Sequence, residues 1–265
     1  MSSITSSQVP FDDYQVIFRY PAPLTIYKKH DQIYIYQKLS GMLMTMLDIK
    51  VYNCALCGTE FESDVITSTN TFGGKDSEFR VYAFGLQPLR FILAMCPKCG
   101  YTSYSHKEHL TFNEMQAIEA LLKSEITKSI DEKMQYSAFK FYIYARILEV
   151  RKASIMKIAR AYLNAAWIAD DDQEYEKAVK YRKLAISTFV SGLKANNIPE
   201  EDIPIITYLV GEIYRRIGEF DSAIEWFMKV KTRDERLIKL CSHQIELARK
   251  NDKSKVFLKK IFEES

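Results

Sequence analysis

Glycine, proline, cysteine and histidine are all scarce in this chain. Its 265 residues include 9 Gly, 7 Pro, 5 Cys and 4 His. With 47% hydrophobic and 27% charged residues, this composition excludes collagenous and low-complexity chains and is typical of a globular protein. The length suffices for one or two domains with a sizeable core.

The chain also lacks a strong net charge and a long apolar run. The formal charge is +3, and residues 1–110 carry ten basic and ten acidic side chains, so neither part strongly attracts polyanions. No segment approaches the roughly 18 consecutive apolar residues of a membrane span, and residues 1–13 do not resemble a secretory signal. We therefore expect a cytoplasmic protein without membrane insertion.

Four of the five cysteines form two Cys-x-x-Cys pairs, Cys54 with Cys57 and Cys96 with Cys99. Each pair follows strand-like sequence and is followed by a glycine, which supplies the positive φ that such a turn needs. The 38 residues between the pairs are enough for a small sheet that brings them together. This spacing predicts one structural metal site made of four thiolates.

The identity of the metal and of its ligands leaves alternatives. Iron can occupy the same two-turn arrangement, but closed thiolate sites on small ribbons most often hold zinc, which we favour. Disulfides would need an oxidising compartment. A set that used His106 and His109 would leave Cys54 and Cys57 without a role, so we interpret both histidines as surface residues. Four thiolates leave no open coordination position, which argues against metal catalysis.

We predict an α+β fold with three parts. Residues 1–47 form an N-terminal extension with short strands at 14–20 and 24–27, and 33–36 is either a strand or the start of a helix that reaches Leu47. Residues 48–110 form a β-rich, zinc-ribbon-like module with strands at 48–52 and 90–95. Residues 111–265 form an all-α domain, because Gly and Pro nearly vanish and a 3.6-residue period takes over. The first predicted helix has its cap at Thr111 or Asn113 and ends at Ile126. The other predicted helices span 136–150, 154–169, 174–193, 201–217, 220–230, 233–249 and 254–262.

One segment of the helical part has the spacing of a tetratricopeptide unit. Gly211 and Ala223 are the small positions at which two antiparallel helices approach each other, and Gly218 provides the turn. A weaker copy starts at Ala166, and an irregular helical bundle is the alternative. In such arrays the first helix of each hairpin lines a concave surface, so we predict a protein-binding groove there. Its candidate residues are Leu163, Trp167, Tyr208, Glu212, Arg215 and Arg216, with Trp167 alternatively a core residue.

No catalytic constellation stands out. The chain has no phosphate-binding glycine loop and no nucleophile elbow. Asp76 and Glu78 fit a charged turn between ribbon strands better than an acid pair, and Cys241 is better interpreted as a buried structural thiol. We therefore expect a protein that is not an enzyme.

Several motifs resemble an uncharacterised bacterial family, domain of unknown function 2225. They are the two cysteine turns, the segment Lys75–Phe79 with the sequence KDSEF, and Ala165-Ala166-Trp167. The resemblance covers about residues 48–240. It implies a zinc-ribbon-like module joined to tetratricopeptide-like helices in a bacterial cytoplasm, without an assigned activity.

Two functions remain open at this point. The first is an interaction scaffold whose helical hairpins present a groove to a protein or peptide partner. The second is a nucleic-acid-associated ribbon protein, which the neutral ribbon half and its lack of a basic, aromatic stripe disfavour.

Overall fold

The structure, a computed structural model, describes residues 45–127 and 129–263 together with the backbone of three earlier strands. These strands are β1 (Gln15–Arg19), β2 (Leu24–Lys29) and β3 (Gln32–Gln37), and they form an antiparallel sheet in that order. The strands predicted near 14–20 and 24–27 are confirmed, and 33–36 is a strand rather than the start of a helix. The predicted continuation through residues 38–44 lies outside the described residues.

The cysteine turns lie at the ends of small antiparallel hairpins. The longest hairpin joins β4 (Met46–Asn53) to β5 (Glu60–Ser68), with Tyr52 opposite Phe61. The prediction of a strand over 90–95 is correct only for Ala94–Met95, because Pro88 starts a short 3-10 helix over Pro88–Phe91 and residues 92–93 form a bend. The remaining short strands are β6 (Gly74–Lys75), β7 (Val81–Tyr82), β8 (Ala94–Met95) and β9 (Thr102–Ser103).

A mostly helical region follows, as predicted. It begins at the N-cap Thr111, whose hydroxyl accepts from the Glu114 amide while the Glu114 carboxylate accepts from the Thr111 amide. A short helix before residue 138 was not predicted. The helices are α1 (Phe112–Glu125), α2 (Glu132–Tyr136), α3 (Ala138–Val150), α4 (Ile155–Asp171), α5 (Tyr175–Lys194), α6 (Ile203–Ile217), α7 (Phe220–Met228), α8 (Glu235–Arg249) and α9 (Leu258–Phe262).

Helices α6 and α7 approach closely at the two predicted small residues. A Cβ added to Gly211 would lie 3.2 Å from the carbonyl oxygen of Ala223 and 2.8 Å from the ring of Phe227. Ala223 is fully buried, and Gly218 ends α6 in the left-handed conformation with φ of 87°. The predicted contact between positions 211 and 223 is therefore confirmed.

We expect Ala223→Leu to lower the free energy of unfolding by about 1–3 kcal/mol, because the larger side chain overpacks this contact. The control is Glu225→Leu, which places the same side chain at an exposed position of the same helix. Chemical denaturation of both variants measures the effect. Equal stability of Ala223→Leu and the parent would contradict the packing.

One hydrophobic core continues from the hairpins of β4 to β9, which we call the ribbon, into the helices. Its buried members include Tyr52 and Leu93 on the ribbon side and Phe141 and Ile213 on the helical side. A second, smaller cluster joins α6, α7 and α8 around Phe227 and Leu240. Among the helices that the structure describes, none is long and apolar enough to cross a membrane.

Candidate functional site

The two Cys-x-x-Cys turns have the same backbone geometry. The Gly58 amide donates to the carbonyl of Cys54, and the Gly100 amide donates to the carbonyl of Cys96, both at 2.9 Å. Both glycines have positive φ, 69° and 78°, which a residue with a Cβ adopts only at a cost. The glycine after each pair therefore has the conformation that the sequence predicted.

The fold brings the four predicted sulfur atoms together. The Sγ atoms of Cys54, Cys57, Cys96 and Cys99 all lie within 4.8 Å of one another. The separations are 3.5 Å from Cys54 to Cys99 and 3.7 Å from Cys57 to Cys96. Four sulfurs at about 2.3 Å from a tetrahedral Zn²⁺ lie about 3.8 Å apart, so these residues fit such an ion.

The sulfur atoms also interact electrostatically. Hydrogen bonding between Cys54 and Cys96 raises the pKa of Cys54 and lowers that of Cys96. Negative charges on sulfurs this close repel one another, and a bound metal ion neutralises them and deprotonates thiols outright. The donor set therefore matches a cation that prefers thiolates.

His106 does not lie on the surface, and that prediction is wrong. It is buried among the rings of Tyr52, Phe61 and Tyr101, with centroids 5.0 to 5.5 Å away. Its Nε2 lies 2.9 Å from the carbonyl oxygen of Ala94, and burial lowers its pKa. His109 is exposed, as predicted. His106 thus packs beneath the cysteine turns as a core residue.

The predicted partner groove is not open to solvent. Tyr208, Glu212 and Arg215 are fully buried, and the Arg216 side chain is 9% exposed. The prediction that these residues form a free binding surface is therefore wrong. The same correction applies to the rest of the set, Leu163 and Trp167.

The groove is filled by a segment of the same chain, residues 76–80, which we call the insert segment. The Ser77 hydroxyl donates to Glu212 at 2.6 Å, and the Tyr208 hydroxyl donates to the Ser77 carbonyl at 3.0 Å. The Trp167 indole donates to Glu78 at 3.2 Å. The sequence thus identified side chains that bind a segment of chain, but it did not show that this segment is an internal turn between β6 and β7.

Glu78 is the centre of a buried ion-pair network. Arg182 donates to it through Nε at 2.9 Å and Nη2 at 2.6 Å, and also binds Asp170. Although burial opposes ionisation, Arg182 and Arg216 lower the pKa of Glu78 to about 2. The predicted charged turn between two strands is confirmed, because residues 76–80 join β6 to β7, but Glu78 is buried, at 1% exposed, and paired with arginines.

Arg80 and Asp76 of the insert segment also form several hydrogen bonds and an ion pair. Arg80 forms a two-bond ion pair with Asp171 and donates to the Trp167 carbonyl. Asp76 accepts from the amides of Glu78 and Arg80, and burial raises its pKa to about 6. These contacts connect the ribbon part of the chain directly to α4.

Arg215 also has a structural role. It donates to both carboxylate oxygens of Glu212 and to the carbonyls of Asp252 and Ser254. Replacing it with alanine would leave a buried carboxylate and two carbonyls without these bonds. Replacing Arg215 with alanine would therefore lower the stability of the fold.

Lys140 is a buried lysine that the sequence did not single out. Its ammonium group donates to the carbonyls of Arg90 and Leu93, at 2.6 and 2.8 Å, and so ties α3 to the loop before β8. Burial lowers its pKa to about 7. The sequence feature that indicates its burial is the position of this lysine among the hydrophobic residues of a helix.

We expect Lys140→Met to change how stability depends on pH. Between about pH 7 and 10.5 Lys140 is protonated in the unfolded chain but neutral in the folded chain. This difference makes the free energy of unfolding of the wild type rise with pH, by up to about 1.4 kcal/mol per pH unit. The variant lacks this contribution. Urea unfolding from pH 7 to 9 measures the difference, and parallel curves for the two proteins would contradict it.

Comparison with known proteins gives one match. No curated protein and no solved structure matches this chain. A family model described as "Uncharacterized protein conserved in bacteria (DUF2225)" matches residues 47–255, which include both cysteine turns, the insert segment and helices α1 to α8. The match covers well over half of the sequence, and the chain belongs to this uncharacterised bacterial family.

Proposed function

We propose that this protein is a non-enzymatic interaction scaffold whose four cysteines hold one structural zinc ion. The observation that carries the proposal is the binding of the insert segment by the helical hairpins. Trp, Tyr, Arg and Glu side chains of these helices form hydrogen bonds with it, much as helical repeats bind peptides. In this protein the same kind of binding joins the hairpin region to the helical region of one chain. A scaffold needs such a fixed arrangement, because it must hold its partner-binding surface in a constant position.

Zinc is favoured over iron for the cysteine site. The hairpins that carry the four thiolates are short, so a small, redox-inert ion would supply much of their folding free energy. Four thiolates complete its coordination, so no position remains for a water nucleophile. The zinc would act on structure and not on a substrate.

A partner surface must lie outside the filled groove. Phe72 and Phe84 are 61% and 48% exposed, and their amides both donate to the side-chain oxygen of Asn70, at 3.1 and 2.7 Å. The two amide nitrogens therefore lie within about 6 Å of each other. Exposed aromatic residues on an ordered turn favour protein contact.

Affinity capture from the native cells tests the scaffold. We expect a protein partner that resists nuclease and is recovered by the wild type, but is lost by Phe72→Ser/Phe84→Ser. Phe112→Ser, which alters a 73% exposed aromatic residue elsewhere, serves as the control and should retain the partner.

Mobility-shift assays on generic DNA and RNA test the alternative. We expect no shift, because the ribbon half is electrically balanced. A salt-dependent shift, or a captured complex that nuclease dissolves, would replace the scaffold proposal with nucleic-acid binding.

A further inference from the structure

The hairpin β4–β5 has an apolar face that does not belong to the core. Residues alternate between the two faces of a strand, and Tyr52 and Phe61 turn one face inward. The other face carries an apolar set that we call the outer face: Leu47, Ile49, Val51 and Ile66. The acidic residues Glu60, Glu62 and Asp64 lie on the same side of the hairpin, and Asp64 accepts a hydrogen bond from the Tyr136 hydroxyl at 2.7 Å. Val51 is 53% exposed, and within the described part of the chain none of the four apolar residues packs against either hydrophobic cluster.

The adjoining edge of the hairpin is also open. In the described residues β4 pairs with β5 alone, so the other side of an eight-residue strand forms no ladder. Natural proteins usually cover or blunt such an edge. An open edge beside an apolar face indicates that another layer belongs there.

The chain carries a candidate layer directly upstream. The sheet β1–β2–β3 ends at Gln37, and eight residues, 38–45, lead to β4. Those residues can span roughly 26 Å, enough to fold back onto the outer face. The register places Leu24, Ile26, Ile33 and Ile35 on one face of this sheet, together with Lys28 at its end.

A three-stranded sheet needs a partner layer to bury its apolar face. The family match begins at residue 47, so these strands lie outside the matched residues. The outer face, whose first residue is Leu47, is the nearest apolar surface along the chain.

Charge also favours this pairing. Strands β1 to β3 contain three basic residues and no acidic residue: Arg19, Lys28 and Lys29. Strands β4 and β5 contain four acidic residues, Asp48, Glu60, Glu62 and Asp64, against the single base Lys50. Opposite net charges attract the two sheets and disfavour contact between two copies of the same one.

We infer that the outer face of β4–β5 is an intramolecular docking surface for the sheet β1–β2–β3. Leu24, Ile26, Ile33 and Ile35 are the residues that meet it, and the basic strands lie beside the acidic hairpin. The occupant is thus a segment of the same chain, and neither a second copy nor a foreign protein.

Zero-length carbodiimide cross-linking of the metal-loaded full chain tests the contact. An equal mixture of ¹⁵N-labelled and unlabelled protein separates links within a chain from links between chains. We expect Lys28, which shares the docking face of its sheet, to join Glu60 or Glu62 on the outer side of the hairpin in peptides of one isotope. Mixed-isotope links would assign the face to a second copy, and the absence of these links would also overturn the inference.

Hydrogen exchange of Val51→Lys gives a second, independent test. A like charge facing the basic strands should speed amide exchange in β1 to β3 by about tenfold or more, with the metal content unchanged. Met228→Lys, at a position 75% exposed on α7, is the matched control and should leave exchange in these strands unaltered. Unchanged exchange in Val51→Lys would overturn the docking.

Discussion

Glu78→Ala should lower the free energy of unfolding by about 3–5 kcal/mol. The change removes the carboxylate that Arg182 binds twice and that the Trp167 indole also binds. Arg182 is 2% exposed, so among the described residues Asp170 would remain to balance the buried charges of both Arg182 and Arg216. Because the insert segment joins the ribbon to the helices, we expect both parts to lose stability together.

Urea unfolding of the metal-loaded full chain measures this loss. Glu225→Ala is the control, because it removes the exposed carboxylate of an i,i+4 pair with Lys229 and should cost less than about 0.5 kcal/mol. If Glu78→Ala were as stable as Glu225→Ala, the insert segment would not hold the two parts together.

Cys96→Ser should abolish stoichiometric metal binding and unfold the short hairpins of the ribbon. Its sulfur is fully buried and lies 3.7 Å from that of Cys57. A serine hydroxyl in its place leaves three thiolates, so the metal binds more weakly. Because metal binding stabilises the folded hairpins, its loss lowers their stability. Metal analysis after gel filtration, together with amide exchange of the hairpins, measures both effects.

Cys241→Ser is the matched control for this experiment. Cys241 is buried on α8 and does not belong to the four-sulfur cluster. Its replacement should leave the metal content unchanged. A full metal content in Cys96→Ser, or its loss in Cys241→Ser, would contradict the assignment of the ligands.

The sequence predicts the cysteine site well because its geometry is local. Two residues between the thiols and a following glycine determine each turn, and Gly58 and Gly100 adopt the expected positive φ. Helix starts such as Thr111 are also decided by nearby residues, so capping residues predict them closely. Both the cysteine turns and the helix starts depend on residues that are close together in the sequence.

The contents of the groove could not be predicted in the same way. Periodicity placed Tyr208 and Glu212 on the correct helix, but Ser77, which covers them, is more than 130 positions away. Acidic residues such as Glu78 are usually solvated, so only the fold reveals that Arg182 neutralises this one. Lys140 was missed for the same reason, because its partners lie more than 45 positions away, and the burial of His106 depends on Tyr52 and Phe61 from a separate hairpin.

X-ray absorption at the metal edge of the freshly purified protein tests the central claim most directly. We predict one zinc per chain with four sulfur ligands at about 2.3 Å and no nitrogen or oxygen neighbour. An iron edge, a mixed sulfur and nitrogen shell, or protein that purifies without metal would contradict a closed four-cysteine zinc site.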